Sequence, residues 1–152
     1  MNILTIGVLA PTFIAVDTNN QPFDLSSYKG KKIVLYFYPK DNTTGCTAQA
    51  CNLRDNYDAL QKENYTIIGI SPDSTKSHEK FATKYELPFL LVADTDKQIC
   101  ELYGVWQQKK FMGKIYMGVQ RTTFLIDETG IITHIIQKVD TKEHAKQILE
   151  IQ

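Results

Sequence analysis

Three apolar runs, each followed by a stretch of different period, constrain this chain more than any other feature of it. Ile33–Tyr38, Tyr65–Ser71 and Phe89–Ala93 are short, nearly continuous, and rich in β-branched and aromatic residues. Strands buried on both faces of a sheet have this character. After the first run, Cys46, Ala50, Leu53, Tyr57 and Leu60 recur at spacings of four and three, which predicts one helix from Thr44 to Glu63. Ser74 is placed to cap a second helix to about Tyr85, and Asp94 or Asp96 to start a short third one to about Tyr103. This alternation predicts an α/β fold whose parallel sheet core is flanked by helices.

The flanking segments read differently. Ala10–Asp17 and Pro22–Leu25, separated by Thr18-Asn19-Asn20-Gln21, predict an N-terminal β-hairpin. Ser26–Gly30 is polar and ends in glycine, so it reads as a turn. Arg121–Asp127 and Ile131–Ile136 flank Glu128-Thr129-Gly130, a second hairpin in which Gly130 supplies the left-handed turn residue. Thr141–Ile151 closes the chain as an amphipathic helix. Gly104–Gln120 has no regular period but holds Trp106, Phe111, Met112 and Tyr116, and is expected to be a packed functional loop. No repeat or linker divides the 152 residues, so residues 1–152 are expected to form a single domain.

Seventeen basic and 17 acidic residues give zero net charge, so no field draws the chain to nucleic acid or acidic lipid. No apolar run approaches the ~20 residues needed to span a bilayer. Met1–Gly7 lacks the basic and apolar regions of a signal peptide, which places the expected location in the cytoplasm. Three cysteines are too few and of the wrong parity for a disulfide scaffold, and suggest catalysis or redox sensing.

Cys46 falls in the first turn of the helix that follows the first strand. Unpaired N–H groups and the positive end of the helix dipole favour a thiolate there. Thr43 or Thr44 is the expected N-cap, its hydroxyl accepting from those N–H groups. By themselves, cysteines at i and i+5 on a helix are more often two small core residues than a redox couple. Arginine most often pairs with a surface carboxylate, and Trp106 is expected to pack within its loop. Cys100 lies beside the apolar Ile99, Leu102 and Tyr103 and reads as a buried bystander. His78, His134 and His144 have no ligand spacing, so solvated or sheet-face histidines and no metal site are expected.

The sequence around Cys46 carries a stronger signal. Pro39-x-x-x-Thr43-x-x-Cys46 resembles the active-site signature of the peroxiredoxins, and Arg121 at the start of a late strand resembles their active-site arginine. Tyr36–Asp41, Gly45-Cys46-Thr47, Gln49-Ala50-Cys51, Leu53-Arg54-Asp55, Gly104-Val105-Trp106 and Phe111–Lys114 are similar to the bacterioferritin comigratory protein (thiol peroxidase Q) group of that family. The likeness spans nearly the whole chain. It implies a thioredoxin-like fold, with a central mixed sheet flanked by helices and an N-terminal β-hairpin. One departure is Thr44, where the group usually has proline; proline would preset the first helical turn.

The resemblance implies a peroxidase that needs no metal, flavin or haem, because sulfur carries the electrons. Cys46 would be the peroxidatic nucleophile. Arg121 would stabilise the thiolate and bind the peroxide oxygens. The Thr43 hydroxyl would accept from the peroxide and donate toward the sulfur. Pro39 would shield the pocket from water, and the Gly45 and Cys46 N–H groups would complete a polar cradle. The substrates would be hydrogen peroxide and organic hydroperoxides, the reductant thioredoxin or a similar dithiol protein, and the enzyme a monomer. Cys51 would resolve the sulfenic acid. On an ideal helix the Cα atoms of residues five apart lie roughly 8–9 Å from each other, beyond the ~7 Å limit for a disulfide, so roughly residues 43–52 would have to unwind. Two alternatives stand beside this reading. A protein thiol–disulfide oxidoreductase would be expected to carry Cys-x-x-Cys, and a non-enzymatic redox sensor would react once without turnover.

Overall fold

A computed structural model describes residues 4–151. Seven strands form one mixed sheet, and two more form a separate hairpin. β1 (Ile14–Asp17) and β2 (Pro22–Asp24) make the N-terminal hairpin, and a short 3-10 turn follows at Leu25–Tyr28. β3 (Lys32–Phe37), α1 (Thr44–Asp55), α2 (Tyr57–Lys62), β4 (Tyr65–Ser71), α3 (Thr75–Lys84), β5 (Leu90–Ala93) and α4 (Gln98–Leu102) come next. β6 (Trp106–Phe111), β7 (Lys114–Val119), β8 (Thr122–Ile126), β9 (Ile132–Ile136) and α5 (His144–Leu149) complete the order.

The sheet runs β2-β1-β5-β4-β3-β8-β9. β3, β4 and β5 are parallel, while β8 joins β3, and β1 joins β5, antiparallel. The expected α/β architecture is borne out, as is the hairpin at the N-terminus. β3 lies between β4 and β8, and successive side chains serve opposite faces. Ile33, Leu35 and Phe37 enter one core with Phe13, Ile68, Val92, Tyr103 and Phe124. Val34, Tyr36 and Tyr38 enter the other with Leu53, Leu60, Phe81, Leu91 and Ile148. The second core also holds Cys46 and Ala50, so α1 packs on the sheet through its own apolar stripe. At the β3–β4 crossing, a Cβ on Gly69 would come within 2.8 Å of both Tyr36 and Leu91. Only glycine lets the Tyr36 ring lie over β4 there.

Three expectations need correction. The predicted helix over 44–63 is two helices, because Asn56 leaves helical geometry at φ −111°, ψ 16°. Its side-chain amide and its backbone N–H both donate to the Asn52 carbonyl, at 2.8 and 3.2 Å, the local competition that makes asparagine a poor interior helix residue. The expected packed loop over 104–120 is the β6–β7 hairpin, turning through Met112 and Gly113 at φ 51° and 81°, both in the region a type I′ turn requires. Its Phe111, Met112, Ile115, Tyr116 and Met117 are exposed; only its base, Trp106 and Val119, packs on the core, too little to impose an alternation on the sequence. The closing helix covers only His144–Leu149, not Thr141–Ile151. Among the described residues, no helix is long and apolar enough to cross a membrane. Met1–Ile3, part of the segment read for a signal peptide, lie outside the described residues.

Candidate active site

β3 delivers the chain at Tyr38, whose N–H continues the ladder to the Ile70 carbonyl at 3.0 Å. The loop then runs through half-buried Pro39, exposed Lys40, buried Asp41 and Asn42, which takes a left-handed φ of 60°. Thr43 is the N-cap by backbone geometry, at φ −96°, ψ 159°. Its hydroxyl, however, caps nothing: it donates to the Lys40 carbonyl at 2.9 Å. The expected cap bond and the expected donation toward sulfur are therefore both absent. The oxygen's lone pairs remain available to accept.

Cys46 is the third residue of α1 and only 2 % exposed. Arg121, immediately before β8, donates from Nη2 to Cys46 Sγ at 3.2 Å. Its other terminal nitrogen, Nη1, donates to Gln49 Oε1 at 2.6 Å. Residues 46 and 49 are i and i+3 on one helix face, so a single guanidinium fork spans both. β8 is hydrogen-bonded to β3, which carries the strand that leads into α1. Both partners of the sulfur contact are thus fixed by adjacent strands of one sheet.

Gln49 was not singled out as a site residue. It is fully buried on the apolar face of α1, and a polar residue in that stripe was the available signal. Gly45 lies closer to the chemistry than its N–H alone suggests. A Cβ there would stand 3.3 Å from Arg121 Nη2, tighter than ordinary van der Waals contact. Gly45→Ala is expected to displace the guanidinium by a few tenths of an ångström and to slow Cys46 oxidation about tenfold. Stopped-flow oxidation by hydrogen peroxide measures this, with a urea melt expected to change little.

Cys51 lies on the same helix, half-buried, and is a free thiol, as are Cys46 and Cys100. The structure brings Cys46, Arg121 and Gly45 together and leaves Cys51 in a later turn. Cys100 is fully buried. Burial, then a hydrogen bond and the charge of Asp94, push its thiol far above the usual range, so it is held unreactive. Lys109, on β6, donates to the Val119 carbonyl at 2.9 Å, and its ammonium is held below the usual lysine range by burial and then by Arg121.

His134, exposed on β9, is as expected, but the other two histidines are not. His78 and His144 are both fully buried. His144 shares hydrogen bonds with Thr123 and Gln147, both at 2.8 Å. Burial lowers its pKa, and the Arg121 charge adds to that. His78 belongs to a buried cluster with Asp41, 2.7 Å from Nδ1 to Oδ2. Asp41, Asp73 and His78 each offer a ligand atom within 4.8 Å of the others. Those groups already bond one another and their neighbours: both Asp41 oxygens accept hydrogen bonds, and Asp73 Oδ2 accepts two. The cluster is satisfied without a cation.

Comparison with known proteins agrees with this geometry. The sequence pattern described as the AhpC/TSA family matches residues 6–135. Peroxiredoxin Bcp of Bacillus subtilis (strain 168) is 45% identical over 97% of this chain and 94% of its own length. Peroxiredoxin Bcp of Escherichia coli (strain K12) is 44% identical over 98% and 96%. Among solved structures, a mutant of Xylella fastidiosa PrxQ superposes with a TM-score of 0.92 at 30% identity, covering 99% of this chain and 96% of that one. A bacterioferritin comigratory protein of Xanthomonas campestris, studied for its alkyl peroxide reduction, reaches a TM-score of 0.85 at 32% identity over 91% and 88%.

Proposed function

This chain belongs to the AhpC/TSA family, within its peroxiredoxin Bcp and PrxQ group, and from that premise we propose a thioredoxin-dependent peroxidase of the atypical two-cysteine kind. Peroxidase chemistry goes with the family. The finer reading assigns substrates, resolving residue and reductant: hydrogen peroxide and small organic hydroperoxides, Cys46 as nucleophile, Cys51 as resolver, and thioredoxin or a similar dithiol protein as electron source. A single-domain monomer acting in the cytoplasm suffices, since both thiols are in one chain.

The observation that carries the reading is the 3.2 Å contact from Arg121 Nη2 to a buried Cys46 Sγ at a helix start. Arg121 and the helix N-terminus both favour the thiolate. The thiolate attacks the nearer peroxide oxygen, the O–O bond breaks, and the leaving alkoxide or hydroxide takes a proton to become alcohol or water. Cys46 becomes a sulfenic acid, oxidised by two electrons. The guanidinium has further N–H donors for the oxygens, and the free lone pairs of Thr43 can accept the substrate's own proton. Attack of the Cys51 thiolate on the sulfenic sulfur then expels hydroxide, which leaves as water, and forms the disulfide. A dithiol partner returns two electrons and two protons.

One equivalent of hydrogen peroxide followed by peptide mass spectrometry tests the pairing. A peptide joining Cys46 to Cys51 is expected; a link through Cys100 would reassign the resolver. Arg121→Ala is expected to lower the second-order rate of peroxide reduction by roughly 10²–10³-fold, the usual cost of one charge-stabilising donor. An unchanged rate would remove Arg121 from the reaction. Steady peroxide consumption with a dithiol reductant separates an enzyme from a sensor that reacts once.

A further inference from the structure

We propose that the buried Asp41–His78 pair positions the peroxide-binding loop without touching the reacting atoms, and forms the fixed end against which α1 unwinds. The proposal rests on the peroxidase reading above. Asp41 lies between Pro39 and Thr43, at 6 % exposure, and His78 on α3 is fully buried. One carboxylate oxygen accepts from the Tyr38 hydroxyl at 2.6 Å. The other accepts from the Ser77 hydroxyl at 2.8 Å and lies 2.7 Å from His78 Nδ1. On its far side, His78 Nε2 is 3.0 Å from the Val92 carbonyl.

The proton count follows from these contacts. A carbonyl can only accept, so Nε2 carries a hydrogen. Nδ1 and the carboxylate oxygen, 2.7 Å apart, must share another, or two lone pairs would face each other in a dry site. The pair is therefore neutral as a whole, which makes its burial tolerable. Burial, with Tyr36 and Asp41 nearby, also keeps the Tyr38 phenol protonated and donating.

The backbone of the same residue is tied as well. The Asp41 N–H donates to Asp73 Oδ2 at 2.8 Å, and that oxygen is fixed by the Ser71 hydroxyl at 2.6 Å. Residue 41 is thus held by groups from the ends of β3 and β4, from α3, and through His78 from β5. Its neighbours carry the chemistry. The Lys40 carbonyl on one side receives the Thr43 hydroxyl, and on the other Asn42 holds the left-handed turn that aims Thr43 at the head of α1. Moving Asp41 moves the acceptor that orients the Thr43 oxygen. Angular errors of this size are costly in a preorganised site. No bond of the clamp involves a residue of α1, so it survives unwinding of that helix.

The test uses Asp41→Asn and the double variant Asp41→Ala/His78→Leu. The asparagine can accept from Tyr38 and donate to His78, preserving the tether. The double variant replaces a buried pair by apolar groups, which preserves folding more readily than either single change. Melting temperature, the second-order rate of Cys46 oxidation by hydrogen peroxide, and hydrogen exchange in the disulfide state are measured for each. Asp41→Asn is expected to stay within about threefold of the parent. The folded double variant is expected to react about tenfold more slowly or worse. In the parent disulfide the Asp41 and Tyr38 amides stay protected, and in the double variant they lose protection. A double variant that reacts at the parent rate and keeps those amides protected would overturn the proposal, as would an asparagine variant as slow as the double. If the parent itself fails to react with peroxide, the peroxidase reading fails instead.

Discussion

Cys46→Ser is expected to abolish peroxide reduction, with consumption falling to the rate of buffer and reductant alone. The substitution exchanges sulfur for oxygen at a site that is 2 % exposed and already receives a hydrogen bond from Arg121. Serine can occupy the same volume and accept the same bond, so the fold and the cradle persist. What disappears is the nucleophile. An alcohol is not ionised near neutral pH, and the two buried histidines are engaged elsewhere: His78 by Asp41 and Val92, and His144 by Thr123 and Gln147. A serine activated as in hydrolases needs such a partner. Peroxide consumption coupled to a dithiol reductant measures the loss, and a melting temperature within a few degrees of the parent shows that the cause is chemical. Residual turnover above about one per cent would mean that another thiol carries the reaction. Cys51 would be the suspect, because Cys100 is buried with its thiol held protonated.

What the sequence disclosed, and what it concealed, follow from where the information is stored. The strands of the central sheet were legible because burial on both faces forces long apolar runs, and β4 matches its expected bounds of Tyr65–Ser71. Cys46 was legible because it stands where a strand period gives way to a helical one. Arg121 was found through resemblance alone; a cation at the start of a strand has no periodic signature. Gln49 was hidden because its role depends on Arg121 arriving from residues 72 positions away in the chain. The Asp41–His78 pair was hidden for the same reason, its members 37 residues apart. His78 read as a solvated or sheet-face histidine because its fully buried position is created by α3 packing over β5, not by its own neighbours. The β6–β7 hairpin was missed for the opposite reason: it is a local structure, but beyond its packed base at Trp106 and Val119 it is exposed on both faces and left no alternation to detect.

Cys51→Ser is expected to separate the two halves of the cycle. One equivalent of hydrogen peroxide should oxidise Cys46 as fast as in the parent, because Arg121 hydrogen-bonds Cys46 and Gln49, not Cys51. Turnover with thioredoxin should then fall to a trace, and a sulfenic-acid probe should label Cys46 stoichiometrically. The physical basis is the length of the helix between the two thiols. α1 is continuous from Thr44 to Asp55, and regular helix geometry separates Cα atoms at i and i+5 by roughly 8–9 Å, whereas a disulfide needs about 4.4–6.8 Å. The first two turns must open, and the structure shows where opening can stop. Asn52 donates from Nδ2 to the Lys142 carbonyl and accepts at Oδ1 from the Ala145 N–H, both at 2.8 Å. Next to it Leu53 is fully buried. Unwinding through residue 51 exposes little apolar surface beyond Cys46 itself and the Ala50 methyl, about 0.8 kcal/mol for a group of that size, whereas including Leu53 would add roughly 1.5–3 kcal/mol. The opening is therefore expected to end at Asn52. Hydrogen exchange reads it directly: on oxidation of the parent, amides 47–55 should lose protection, because those of 52–55 donate to carbonyls 48–51, while those from Asn56, which donates to the Asn52 carbonyl, onward keep it, and in oxidised Cys51→Ser the whole helix should stay protected. Equal protection of 47–51 in the reduced and disulfide-bonded parent would mean that the bond forms without unwinding, which this helix geometry forbids, and Cys51 would then not be the resolving residue.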